Sequence, residues 1–119
     1  MAIHSGWKVL SVGRWSAWMR GEGGGAIQYP VDTWVYPRAG CGPLGVFGDY
    51  DEAEAWANNW FYDKGPLTVH RCQFKFSRFR SFWRTVGGKI QKNIGGPLLT
   101  QETFQQMTVK FADAVKTLD

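Results

Sequence analysis

Gly45-Val46-Phe47-Gly48-Asp49-Tyr50-Asp51-Glu52-Ala53-Glu54-Ala55-Trp56-Ala57 is the stretch on which the fold turns. Val46 and Phe47 are strand formers bracketed by glycines, and Asp49 is a good N-cap with Glu52 three residues on, the spacing of a capping box. Asp51, Glu52 and Glu54 place negative charge in the first turns, where the helix dipole favours it. Ala53, Trp56, Ala57 and Trp60 fall at helical spacing on one apolar stripe. The stretch therefore predicts a short buried strand running directly into a helix from Tyr50 to about Phe61. Gly65-Pro66 closes the segment. A strand–helix junction near mid-chain needs sheet partners from both flanks.

Both flanks supply them. Upstream, Trp7-Lys8-Val9-Leu10-Ser11-Val12 carries apolar residues on both faces, as a strand buried on two sides does. Gly21 to Gly25 reads as a loop with almost no side chains, and Ala26–Tyr29 and Thr33–Tyr36 as short strand pieces interrupted by Pro30 and Asp32. Downstream, Leu67 to Phe76 alternates His70, Cys72, Phe74 and Phe76 with Arg71, Gln73 and Lys75, one aromatic face turned inward and one basic face turned to water. Thr100 can cap a helix through Phe104, Met107, Phe111, Val115 and Leu118, while Thr108-Val109-Lys110-Phe111 also alternates like a strand. The expected architecture is one α+β domain over residues 1–119. It has a twisted, mostly antiparallel sheet of about five strands, the main helix packed on a face, and a second short helix near residues 101–107.

Composition bounds the function. A chain of 119 residues buries about two thirds of its unfolded surface, and 16% aromatic residues with seven tryptophans promise a ring-rich core. No apolar run reaches the roughly 18 residues of a membrane span, and no leader pattern opens the chain, so a cytoplasmic location is expected. Cys41 and Cys72 fit free thiols, and their spacing with only two histidines argues against structural zinc. Neither a cofactor nor a metal is implied.

The net charge of +4 hides an asymmetry, since no acid stands between Asp63 and Glu102. Lys64, Arg71, Lys75, Arg78, Arg80, Arg84, Lys89 and Lys92 occupy that interval, interleaved with Phe74, Phe76, Phe79, Phe82 and Trp83. Cations neutralise phosphates and exposed rings stack on bases, so the mixture suits nucleic acid or nucleotides. The candidate ligand-binding residues are Arg71, Lys75, Arg78, Arg80, Arg84 and Lys89, with Trp83 as a stacking ring. The plainer reading places the rings in the core and the cations on a solvated face.

Enzyme motifs are missing. The sequence has no P-loop, no G-x-G-x-x-G after a strand, no G-x-S-x-G and no H-E-x-x-H. His70 and Cys72 share a strand face and so form a conceivable nucleophile pair, although neighbours on a core strand are more often simply packed. A non-enzymatic binding protein is the expectation. One alternative is a module that captures a host protein through exposed aromatics (Trp15, Trp18, Trp34 and Tyr36); a small enzyme using His70 and Cys72 is another.

Trp7-Lys8-Val9, Tyr29, Thr33-Trp34-Val35 with Pro37, the Val46-Phe47 unit before its acidic helix, Val69-His70-Arg71-Cys72 and Phe111-Ala112-Asp113-Ala114-Val115-Lys116 together resemble a loose group of small proteins from phage genomes, prophages and other mobile DNA. The group carries no assigned activity. The resemblance implies an origin and a fold, and it implies that the ending is a last strand returning beside the first.

Overall fold

In the computed structural model, which describes residues 2–16, 27–59, 66–79, 82–93 and 109–119, Asp49 caps the central helix. Its Oδ2 accepts from the Glu52 N–H at 3.2 Å, and its carbonyl accepts the first helical bond from Ala53 at 3.1 Å. The helix α1 (Tyr50–Asn59) carries Asp51 and Glu52 in its first turn, so cap and dipole cooperate at the same end. Trp60 and Phe61 lie outside the described residues.

The strands close on themselves. β1 (His4–Leu10) pairs along its length with β5 (Thr68–Phe76), from His4↔Phe74 to Leu10↔Thr68, and on its other edge with β4 (Leu44–Phe47) through Trp7↔Phe47. β8 (Val109–Thr117) pairs with β4 on one edge, from Leu44↔Ala112 to Phe47↔Val109, and with β5 on the other, from Cys72↔Thr117 to Phe76↔Ala112. The ring β1-β4-β8-β5 is thus a small antiparallel barrel, and closure removes the exposed edges that an open sheet would leave. β2 (Trp34–Val35) extends the edge of β8 beyond β4, through Trp34↔Lys116 and Val35↔Val115.

The protein is therefore richer in strand than the expected α+β sheet. Eight strands occur among the described residues, in two sheets. Only local alternation is visible in a sequence, whereas ring closure depends on which edges meet, and nine-residue β5 and β8 are long enough to offer two partners each. From Val109 onward the tail is strand. The helical spacing of Phe111, Val115 and Leu118 yields there to pairing on both edges, and the helix expected near 101–107 falls outside the described residues. Nor does the last strand return beside the first: β8 faces β1 across the barrel, separated from it by β4 on one side and β5 on the other.

Strand alternation then sorts the side chains. Leu10, Leu44, Val46, Cys72, Phe74, Ala112 and Val115 fill the barrel with Ile27 and Tyr29. Val9, Phe47 and Phe82 point outward, where Ala53 and Trp56 of α1 cover them together with Trp7, Ala57, Leu67 and Val69. β1 is thus buried on both faces, as its apolar pattern predicts. Each fully buried Phe or Leu contributes about 1.5–3 kcal/mol. Phe76, expected inward, is 43% exposed because it sits at the barrel end where the β5–β8 register shifts.

A second sheet stands beside the barrel. β3 (Cys41–Gly42) pairs with β6 (Phe82–Val86), and β6 pairs with β7 (Lys89–Asn93). The β6–β7 connection is Gly87-Gly88, with φ of 58° and 79°, the double positive φ of the hairpin turn that matches strand twist.

Candidate functional site

The outer face of β5 carries Arg71, Gln73 and Lys75, since Cys72 and Phe74 between them point into the barrel. Register continues this face sideways. Gln73 stands opposite Lys116, and Lys116 stands opposite Trp34 on its other edge, so three strands form one row. A bulge makes this row possible. The β5–β8 pairing steps from Lys75↔Ala114 to Phe76↔Ala112, leaving Asp113 as the extra residue. Beyond it Val115 turns into the barrel and Lys116 turns out.

At the centre of the row two ammonium groups converge on one ring. Lys75 Nζ lies 4.8 Å and Lys116 Nζ 5.2 Å from the centroid of half-buried Trp34. The indole quadrupole attracts both cations and offsets their mutual repulsion. Among the described residues, no side-chain cation of Arg71, Lys75, Arg78, Lys89, Lys110 or Lys116 has a carboxylate partner, although the Arg71 N–H donates to Asp119 Oδ1 at 3.2 Å. The acids Asp51, Glu52 and Glu54 belong to α1, which covers the other side of the barrel over β4, β1 and the start of β5. The acidic cluster of α1 is thus set apart from the row, whose own neighbouring acids are Asp113 at the bulge and Asp119, the acceptor of the Arg71 N–H.

Of the remaining expected residues, Arg78, Trp83 and Lys89 do not join this row. Arg78 lies over the ring of Phe79, 5.1 Å from its centroid, and Phe79 packs against Trp83 at 5.2 Å. A Cβ on Gly42 would meet the Trp83 indole at 3.3 Å, so this ring is held between neighbours. Trp83 is thus half-buried between Phe79 and Gly42. Lys89 is exposed beside the hairpin turn. Arg84 stands opposite Cys41 in β6, with its backbone position alone described, and Arg80 lies outside the described residues. Lys116 and Trp34 stand in this row although sequence reasoning did not place them among the candidate ligand-binding residues.

The His70–Cys72 pair is built for structure. Cys72 is 1% exposed inside the barrel, and burial pushes its thiol up to about 12, with Lys8 opposing the shift. A thiol so protonated is a poor nucleophile near neutrality. Both ring nitrogens of His70 are engaged away from it. Nδ1 donates to the Asp119 carbonyl at 2.9 Å, which leaves Nε2 to accept from the Thr68 hydroxyl at 2.7 Å in the neutral ring. Arg14 completes this end of the barrel, donating to the Tyr29 carbonyl at 2.7 Å, to Thr117 Oγ1 at 2.7 Å and to the Asp119 carbonyl at 2.9 Å. Among the described residues no three metal-ligating side chains gather, and no helix is long and apolar enough to cross a membrane.

Among the described residues, fold and surface together define a small antiparallel β-barrel with one packed helix, an exposed hairpin and a row of basic side chains gathered on Trp34. Compared with protein-family models, curated proteins and solved structures, the chain gives no match.

Proposed function

We propose that this is a non-enzymatic accessory protein of phage or mobile-element origin that binds an anionic ligand, a nucleic acid or a nucleotide, through its basic and aromatic surface. The observation that carries this reading is the convergence of Lys75 and Lys116 on Trp34 with no carboxylate partner among the described residues. Two ammonium groups gathered on one ring present a fixed pair of donors, and a phosphate is the common biological group that accepts from both. Arg71, on the same face of β5, extends the positive surface, and Arg78 and Lys89 add to the field around it. The origin rests on the sequence resemblance alone. Both cysteines are free, which fits a reducing cytoplasm.

The test is a tryptophan-fluorescence titration against single-stranded DNA, RNA, duplex DNA and a nucleotide panel at low and moderate salt. Binding that falls steeply with salt and weakens in Lys75→Ala with Lys116→Ala supports the reading. Failure of every ligand to bind at low salt would overturn it and move attention to a protein partner.

A further inference from the structure

We propose that the β6–β7 hairpin is a two-stranded ribbon that enters the major groove of duplex DNA, which narrows the anionic ligand of the basic row to one class and rests on that reading. The first reason is what the aromatic surface does not offer. Single-strand binding needs successive open ring faces along a basic groove. Trp34 is covered by its own two lysines, Phe79 by Arg78 and Trp83, and Trp83 by Phe79 with Gly42 close against it. Each of these three rings already has a packing partner, and Phe76 is the one largely exposed ring among the described residues of the basic segment, so no run of successive open faces is present.

The second reason is the shape and chemistry of the hairpin. Thr85, Val86, Gly87, Gly88, Lys89 and Ile90 are all exposed, and a Cβ placed on Gly87 or Gly88 would meet nothing within 4 Å. Thr85 is still tied to the body, its N–H donating to the Gly40 carbonyl at 2.8 Å, so the free tip extends by about 7 Å for two residues per strand at about 3.3 Å each. That reaches most of the way into a major groove about 8.5 Å deep, whose width of about 12 Å admits a two-stranded ribbon. Register pairs Val86 with Lys89 and Thr85 with Ile90, so each ribbon face carries one polar and one β-branched apolar side chain. A lysine donates to guanine O6 and N7, threonine bonds to several base edges, and methyl-bearing side chains contact the thymine methyl. This assigns a use to Ile90, which is 67% exposed at the tip of a ribbon that contains no acid. The major groove of A-form RNA is too narrow for side chains to read, so the partner is DNA.

The experiment measures anisotropy of a labelled DNA duplex, an RNA duplex of the same sequence and the single DNA strand, with wild type, Lys89→Ala/Ile90→Ala and Lys75→Ala/Lys116→Ala. Wild type is expected to bind the DNA duplex tightest, and the tip variant to lose about 10-fold or more on that duplex alone. A minor-groove drug such as netropsin should leave duplex binding unchanged. The row variant should weaken binding to all three. Duplex affinity unaltered by the tip variant, equal affinity for the single strand, or displacement by netropsin would each overturn the ribbon, and a continued effect of the row variant would then leave the anion-binding reading standing. Loss of all nucleic-acid binding in wild type overturns both. Circular dichroism of the variants separates these outcomes from unfolding.

Discussion

Lys8 Nζ donates to the carbonyl of Gly45 at 2.7 Å inside the barrel, where Lys8 is 1% exposed. The same ammonium lies 4.9 Å from the centroid of buried Tyr29. A lysine on β1 thus ties that strand to the strand that feeds the central helix. Breaking such a buried contact leaves both a cavity and a carbonyl short of a donor. Lys8→Ala is expected to lose about 3 kcal/mol in urea unfolding. Lys8→Met keeps the length and removes the charge, and is expected to lose less than half as much, since apolar replacement of a buried charge is often near neutral. Equal losses in the two variants would show that the hydrogen bond, and not the filled space, carries the contribution of Lys8.

The barrel is tight where β1 passes β4. A Cβ on Gly6 would lie 2.6 Å from Val46 Cγ1 and 3.0 Å from both the Phe47 carbonyl oxygen and Phe74 Cε1. A backbone oxygen cannot turn aside as a side chain can. Gly6→Ala should therefore destabilise by about 1–3 kcal/mol, the range for overpacking a core. Gly42→Ala is the comparison, since its Cβ meets only the Trp83 indole at 3.3 Å, and its loss should be smaller. Thermal melts of the two variants, side by side, give the order.

Cys72 gives stability a dependence on alkaline pH. Its thiol is raised from 9.0 to about 12 by burial. Below about pH 9 the thiol is protonated in both folded and unfolded chains, and its contribution is fully present. Between there and about 12 the unfolded chain releases a proton that the folded chain retains, so stability falls as pH rises, by up to about 1.4 kcal/mol per pH unit. Lysines and tyrosines titrate in the same window. The quantity to compare is therefore the slope of wild type against that of Cys72→Ala, which should be shallower. A thiol reagent should modify half-buried Cys41 before buried Cys72 in the native protein.

How much of this was legible follows from the range of each interaction. The Asp49 cap, the strand–helix junction and the alternation of Cys72 and Phe74 with Arg71 and Lys75 are set by neighbours in the chain, and sequence alone predicts them. The position of Lys116 is set by a bulge. Strict alternation from inward-facing Ala112 would turn Lys116 into the barrel, and the extra residue Asp113 reverses it. Trp34 reads as one exposed aromatic among several until β2 is placed beside β8. The two-sided burial of β1 is legible in its apolar pattern, but the Gly45 carbonyl that receives Lys8 comes into reach only when β4 is placed beside β1. Trp83 stands among cations in sequence yet packs against Phe79, a contact that charge pattern alone does not reveal.

The convergence on Trp34 separates charge from arrangement, and two kinds of variant test them apart. Each lysine that neutralises a phosphate releases counterions, so its loss should lower the slope of log affinity against log salt by about 0.9 on a duplex. Lys75→Ala and Lys116→Ala should each do so, and the double variant by about twice as much. Trp34→Leu keeps both charges and removes the ring that gathers them. It should leave the slope unchanged and lower affinity by about 0.5–1 kcal/mol, because the two ammonium groups are no longer held in one geometry before binding. The two lysines should also be coupled: with the ring in place, their double-mutant cycle on nucleic-acid binding should show non-additivity of about 0.5 kcal/mol or more, as for groups sharing one partner. In the Trp34→Leu background that coupling should vanish. A salt slope unaffected by removing both lysines would mean that phosphates are held elsewhere. A coupling that survives loss of the indole would mean that the ring is a bystander to two independent charges.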